Sequence, residues 1–445
     1  MAQYENRFPA LGSAPQKMKR GLPLCLAMLV MLSEGHALAA ADWPQFRGPT
    51  GDGQASVAGL PLAWSETENV KWKKDIHDAG WSTPVVMGGQ VWLTTATLDG
   101  HDFFVICLDA ETGDVRFEEK VFHSDNPEPL GNAKGVNCYA TPSPVVEPGR
   151  VYVHFGKFGT AGIDTSALKV LWKRDDLPCR HYRGPSSSPV LFEELLIITL
   201  DGADQQYLAA LNKLTGETVW KTNRSVAWND EGSNDPMIKD GDRRKAHSTP
   251  LLANMDGKPQ LISVGAKAGY AYEPRTGKEL WRVRFDGWSA APVPLFDKGL
   301  AFFVTGYGKS ELLAIKADGQ GDVTDTHVAW RSESMIPKLA SPILVGGLLY
   351  LVSDDGAVTC LEAASGKQVW RQRIGGTYHA SPVCADGRIY FSSDQGKTTV
   401  IKAGRQFEGL ATNSLPSGFM ASPAVAGKAL FLRTKTTLYR IESAK

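Results

Sequence analysis

A short pattern returns eight times along this chain and limits what it can fold into: a small residue, a proline, then an apolar run. The copies read STPVV at Pro84, ATPSPVV at Pro142, SSPVL at Pro189, STPLL at Pro250, AAPVP at Pro292, ASPIL at Pro342, ASPVC at Pro382 and ASPAV at Pro423. A second element follows each copy, a Thr-Gly or Ser-Gly turn leading to an aromatic. It is clearest in DAETGDVRF, NKLTGETVW, EPRTGKELW and EAASGKQVW, which end at Phe117, Trp220, Trp281 and Trp370, with looser copies ending at Trp172, Trp330 and Phe407. The text between proline and aromatic, such as GGLLYLVSDDGAVTCLEA, alternates apolar and polar residues in short bursts broken by Gly and Asp. Period-two bursts separated by such turns are β-hairpins. A unit of about 40–50 residues holding four strands is one blade of a propeller.

The eighth unit, ASPAVAGKALFLRTKTTLYRIE, stops after three strands. The missing strand lies at the other end, in Asn69-Val70-Lys71-Trp72-Lys73-Lys74, where Trp72 precedes Pro84 by the same interval that separates Trp330 from Pro342 and Trp370 from Pro382. The sequence therefore predicts an all-β fold, an eight-bladed β-propeller of four-stranded antiparallel blades over residues 66–445. An N-terminal strand completes the last blade and removes the open sheet edges. The repeat residues read as packing: the proline fixes φ at a strand entrance, the glycine takes the positive φ of a turn, and the aromatic docks between blades.

Residues 42–65 read as an extended N-terminal segment, and residues 1–41 as an upstream extension plus a cleavable secretory signal. Lys17, Lys19 and Arg20 precede an apolar run from Gly21 to Leu32, and Ala39 to Ala41 offers a cleavage site. The run is too short to span a bilayer, which takes about 20 residues, so no transmembrane segment is expected and the chain is expected to be exported, periplasmic or secreted. Cys25 sits inside the apolar run rather than after it, which argues against a lipid anchor. Forty-eight basic residues balance 48 acidic ones, and this neutrality removes the electrostatic reason to expect nucleic acid or an anionic membrane as partner. A monomer is expected.

The blade text resembles the PQQ-like β-propeller repeat family, in which BamB and the quinoprotein alcohol dehydrogenases are grouped. The opening Ala41-Asp42-Trp43-Pro44-Gln45-Phe46-Arg47-Gly48-Pro49-Thr50-Gly51-Asp52-Gly53 resembles the start of an exported, planctomycete-type subgroup. The resemblance implies the fold and leaves PQQ use possible without a specific motif for it. The quinoprotein enzymes carry a vicinal cysteine pair and a calcium site, and no two cysteines are adjacent here. The one acid-rich loop, Asp318 to Asp325, reads as a surface elaboration of the fifth blade.

The connectors between blades say where a site would be. Three consecutive long ones follow Phe117, Trp172 and Trp220, and long loops without a core of their own are often functional. They carry Asn137, Tyr139, His181, Arg183, Trp228, Lys245 and His247. Residues ahead of each repeat proline should line the channel mouth, which adds Trp81, Trp288, Lys338, Tyr378 and His379 to the candidates. Aromatic faces beside cationic donors suit an anionic or sugar-like ligand; the alternative is that these side chains plug the channel and satisfy one another. Cys138 and Cys179 lie in the first two long connectors, where a disulfide would brace the wall, a pairing that sequence leaves open. Cys107 and Cys360 occupy equivalent strand positions, VICLDAETG and VTCLEAASG, and are expected to be buried. No nucleophile elbow, phosphate loop or HExxH zinc motif occurs, and no metal site is expected.

The leading functional expectation is a non-catalytic binding or scaffold module, taking a protein partner or a small, sugar-like ligand at the central funnel. The alternatives are a PQQ-dependent oxidoreductase, with Arg183, Lys245 or Lys338 meeting the cofactor carboxylates, and a carbohydrate-binding propeller in which Trp81, Trp288 and Tyr378 stack on sugar rings.

Overall fold

The computed structural model describes residues 42–133, 135–227 and 234–443. Residues 1–41, which include the expected secretory signal and Cys25, and Trp228 lie outside them. Eight four-stranded antiparallel blades follow one another around a ring. The first is Val85–Met87, Gln90–Ala96, Asp102–Asp109 and Val115–His123, running from the channel outward. The last is shared between the two ends of the propeller sequence: Val70–Asp75 pairs antiparallel with Thr437–Ile441, placing Trp72 opposite Arg440 and Lys73 opposite Tyr439. At this joint the buried Arg433 Nη1 donates to the Ser82 hydroxyl at 2.6 Å and to the Thr94 carbonyl at 3.0 Å.

Apolar burial is arranged between blades rather than at the centre. One cluster around Phe103, Val151 and Ile163 fills the joint of blades one and two, and one around Trp281, Phe303 and Ile315 fills that of blades four and five. The Gly…Trp element explains itself here. Trp72, Trp172, Trp220 and Trp330 each donate their indole N–H, at 3.0–3.1 Å, to a carbonyl in the turn of the next blade, on Ala110, Lys213, Pro274 and Ala363. The turn glycine of that next blade lies against the indole: a Cβ on Gly277 (φ +70°) would approach Trp220 to 2.6 Å. Glycine is needed there twice, for its conformation and for lack of a side chain.

Two readings are corrected at this level, and the pairing left open for Cys138 and Cys179 is decided. In blades two and five the inner strands begin at Val145 and Leu295, so the repeat proline is Pro144 and Pro294, the second of two, rather than Pro142 and Pro292. In blade seven Ala411 faces Val400, the place that Trp370 holds opposite Cys360; Phe407 packs edge-on to Trp370 instead. The thiols of Cys138 and Cys179 are free, as are those of Cys107, Cys360 and Cys384. The loop at Asp318–Asp325 adds Gly321–Asp322 as a parallel fifth strand to blade four, with Asp322 2.9 Å from Arg284.

Residues 42–65 cross the ring from one side to the other. Trp43, fully buried, exchanges backbone hydrogen bonds with Val86 of blade one, and the Pro44 carbonyl accepts from Val146 of blade two. Arg47 then reaches blades six and seven, donating to the carbonyls of Pro342 at 2.8 Å and Pro382 at 3.3 Å. Gln54–Ala55 pairs in parallel with Cys384–Ala385, and Trp64 stacks on Tyr390. Blades two and six face each other in an eight-membered ring, so this strap passes over its axis.

Candidate functional site

The strap leaves one end of the channel as a cavity of about 360 Å³ whose lining includes Phe46 of the strap. Its walls follow a rule of register. A strand alternates sides with period two, so the residues one and three places before each true repeat proline turn inward. The lower tier of the lining is Ser143, Ser188, Thr249, Ser341, Ser381 and Ser422; the upper tier is Trp81, Thr141, Ser186, His247, Ala291, Leu339, His379 and Met420.

The lower tier is a hydrogen-bonded belt. At six of the eight blade junctions an amide donates to the hydroxyl of the next blade: Thr83 to Ser143, Ser143 to Ser188, Ser188 to Thr249, Ser341 to Ser381 and Ser381 to Ser422 at 2.9 Å, and Val293 to Ser341 at 3.0 Å. The belt is interrupted at Val293, which brings no hydroxyl, and between Ser422 and Thr83, whose buried hydroxyl has no hydrogen-bond partner. The small residue of the repeat is thus a blade-to-blade latch as well as a strand entrance.

Above the belt, two connectors meet at one carboxylate, and a third is tied to them through Lys245. Arg183 donates from Nε and Nη2 to Asp242 Oδ1 and Oδ2 at 3.0 and 3.1 Å. Lys245 Nζ donates to the same Oδ1, to the Asp242 carbonyl at 3.1 Å and to Ser289 Oγ at 2.7 Å, using all three protons. Asp242 and Lys245 are buried, whereas the Arg183 side chain keeps 24% of its surface exposed. Arg183 is also held at φ +75°, an unusual conformation for a side chain of that size. Burial pushes the Lys245 ammonium down against the upward pull of Asp242. Burial likewise lowers His247 to about 3, helped by Lys245, and depresses His379, so both imidazoles are neutral at pH 7. Trp288 pairs with Tyr307 across a two-stranded ribbon, Gly287–Trp288 with Tyr307–Gly308, and both rings line the cavity.

Of the residues picked out in the sequence, Trp81, Asn137, Arg183, Lys245, His247, Trp288 and His379 line this cavity. Asn137 is spent on its surroundings: its amide donates to Arg183 O and Ser186 Oγ, and its carbonyl oxygen accepts from Thr141 Oγ1 and the Cys138 amide. Four others are turned away. Tyr139 is buried edge-on to Phe103 and Phe158, its hydroxyl on the Glu128 carbonyl. His181 packs beside Gly156 and Pro185, its Nδ1 3.8 Å from the Cys179 thiol, and burial lowers it to about 4. Tyr378 is fully buried in the core of blades six and seven, so it offers no stacking face. Lys338 lies outside the lining, over the Tyr307 ring at 5.3 Å and 4.0 Å from Asp354. Phe46, Asp242, Tyr307 and the hydroxyl belt were not singled out by sequence.

The chain matches, over residues 62–234 and 204–445, the family described as outer membrane protein assembly factor BamB. The chain belongs to this PQQ-like β-propeller family. By structure it resembles BamB from Moraxella catarrhalis, with a TM-score of 0.59 at 12% identity, over 84% of this chain and 97% of that one. Quinohemoprotein alcohol dehydrogenase from Comamonas testosteroni gives a TM-score of 0.63 at 12% identity, over 91% and 81%. The computationally designed Ika8 protein gives 0.56 at 11% identity, over 86% and 100%. No curated protein matches the sequence. At such identities the likeness carries the fold.

The dehydrogenases raise the question of a calcium–quinone pair. Calcium takes six to eight oxygens, usually from several carboxylates. This cavity offers one, Asp242, already shared by two cations, and among the described residues no three His, Cys, Asp or Glu side chains group so as to hold a metal. The lining does not fit that pair.

Proposed function

We propose that this PQQ-like propeller is an exported, non-catalytic binding module that takes a small molecule in its central funnel. The observation that carries the reading is the blind, built cavity: a strap across the axis, a belt of serines and threonines below, and Trp81, Trp288 and Tyr307 on the walls. Deep concave sites lined by aromatic groups and a few fixed polar ones are where small ligands bind. A general acid or base needs a titratable group free to move a proton near neutral pH. Here Asp242 is held by two cations, burial lowers the proton affinity of His247 to a pKa of about 3, and burial also depresses His379. Export rests on the basic and apolar segments of residues 17–41.

Two assays test this on the purified mature chain. A thermal-melt panel of neutral and charged small ring compounds should contain at least one that raises the melting temperature, as binding to the folded state must. Addition of PQQ and calcium with an alcohol or aldose should leave an artificial electron acceptor unreduced. Turnover in the second assay refutes the non-catalytic reading; a panel without a single stabilising compound refutes the small-molecule reading.

A further inference from the structure

Charge is unevenly distributed around the funnel. At the mouth Arg243 has Asp235 at 2.7 Å, Lys267 is paired with Asp286, and Lys338 faces Asp354 at 4.0 Å. On the cavity wall, two cations, Arg183 and Lys245, share the single carboxylate of Asp242. The ionised groups of the lining therefore sum to one positive charge, with both of its histidines neutral. That surplus falls on Arg183, since Lys245 is saturated by its three acceptors while Arg183 Nη1 has no partner among the described residues. The guanidinium is also the exposed member of the three and is fixed by its two bonds to Asp242, with its carbonyl pinned by Asn137 at 2.8 Å. A positioned, half-used guanidinium offers a planar donor edge to a carboxylate, and hydrogen bonds between charged partners are the strong ones. The aromatic walls of Trp81, Trp288 and Tyr307 supply faces for a ring.

We infer that the funnel selects a small ring compound bearing one carboxylate, held by the free edge of Arg183 with its ring among Trp81, Trp288 and Tyr307. This rests on the binding reading above and narrows it to a chemical class. A uronic acid and an aromatic acid both carry that chemistry. A compound with three carboxylates would leave two of them without a counter-charge in the lining.

The test is titration calorimetry of the mature chain with two matched pairs: glucuronate against glucose, and 4-hydroxybenzoate against 4-hydroxybenzamide. One of the acids is expected to bind at least about tenfold tighter than its neutral partner, the factor carried by one charged hydrogen bond. Which pair responds tells a sugar acid from an aromatic acid. Arg183→Gln is expected to remove the preference and Arg183→Lys to keep part of it. Should Arg183→Gln fail to fold, raising salt on the wild-type chain replaces it: the acid weakens while its neutral partner does not. A neutral partner that binds as tightly as its acid, an acid preference that survives Arg183→Gln, or no binding by any of the four overturns the inference. The first two of these leave the binding module standing; that reading fails only with the wider panel.

Discussion

Replacing Ser188 by alanine removes one link from the belt that joins blades two and three. The Ser188 hydroxyl accepts the Ser143 amide at 2.9 Å, with both residues buried. Without it the amide has lost its acceptor, which costs about 1–3 kcal/mol. Ser188 borders the cavity, so water can enter the vacated space and the expected cost is in the lower part of that range, about 1–2 kcal/mol. A chain of this size should unfold in urea with a slope of about 3 kcal/mol per molar or more. The midpoint followed by tryptophan fluorescence should then fall by up to ~0.3–0.7 M. Ser188→Thr keeps the hydroxyl and should stay within about 0.2 M of the parent. An alanine variant that unfolds with the parent, or a threonine variant that falls as far as the alanine one, refutes the latch.

Three further outcomes follow from the same structure. Gly277→Ala should lower the melting temperature well beyond Gly88→Ala, because both glycines have positive φ but only the first meets an indole, at 2.6 Å; equal losses would show that the turn conformation alone matters. His154, buried against Thr160, is held by burial at about 3, far below its ordinary 6.5. The unfolded chain takes up a proton there below about pH 6.5 and the folded chain does not, so its contribution is complete above that pH and fades as pH falls toward 3, by up to about 1.4 kcal/mol per unit. His154→Asn should flatten urea midpoints measured at pH 7, 5 and 4 by that slope, and an unchanged slope counts against it. Finally, Cys107, Cys138, Cys179, Cys360 and Cys384 should resist a thiol reagent in the folded state and all react in denaturant; reaction of fewer than five under non-reducing denaturation would reveal a disulfide.

The ring was legible because its signals are local. A proline, a turn glycine and an aromatic at fixed intervals state the blade, and Trp72 standing at the usual distance from Pro84 states the closure. The cavity was legible only in part. Trp81, His247 and His379 stand three places before the repeat proline and turn inward, whereas Tyr378 and Lys338 stand four places before it and face elsewhere. Tyr139 stands three places before Pro142, but the anchor of this blade is Pro144, and counted from there Thr141 holds the inward place. Asp242 and Phe46 arrive from a connector and from the strap, by contacts that no spacing announces.

The binding claim meets its most direct test in a cavity-filled chain. Ala291→Trp places an indole in the upper tier, between His247 and Leu339, while the strap and belt stay untouched. A compound that raises the melting temperature of the parent should leave this variant unmoved, with both proteins showing the same sheet content by circular dichroism. The same rise in parent and variant would place the ligand outside the funnel and contradict the account.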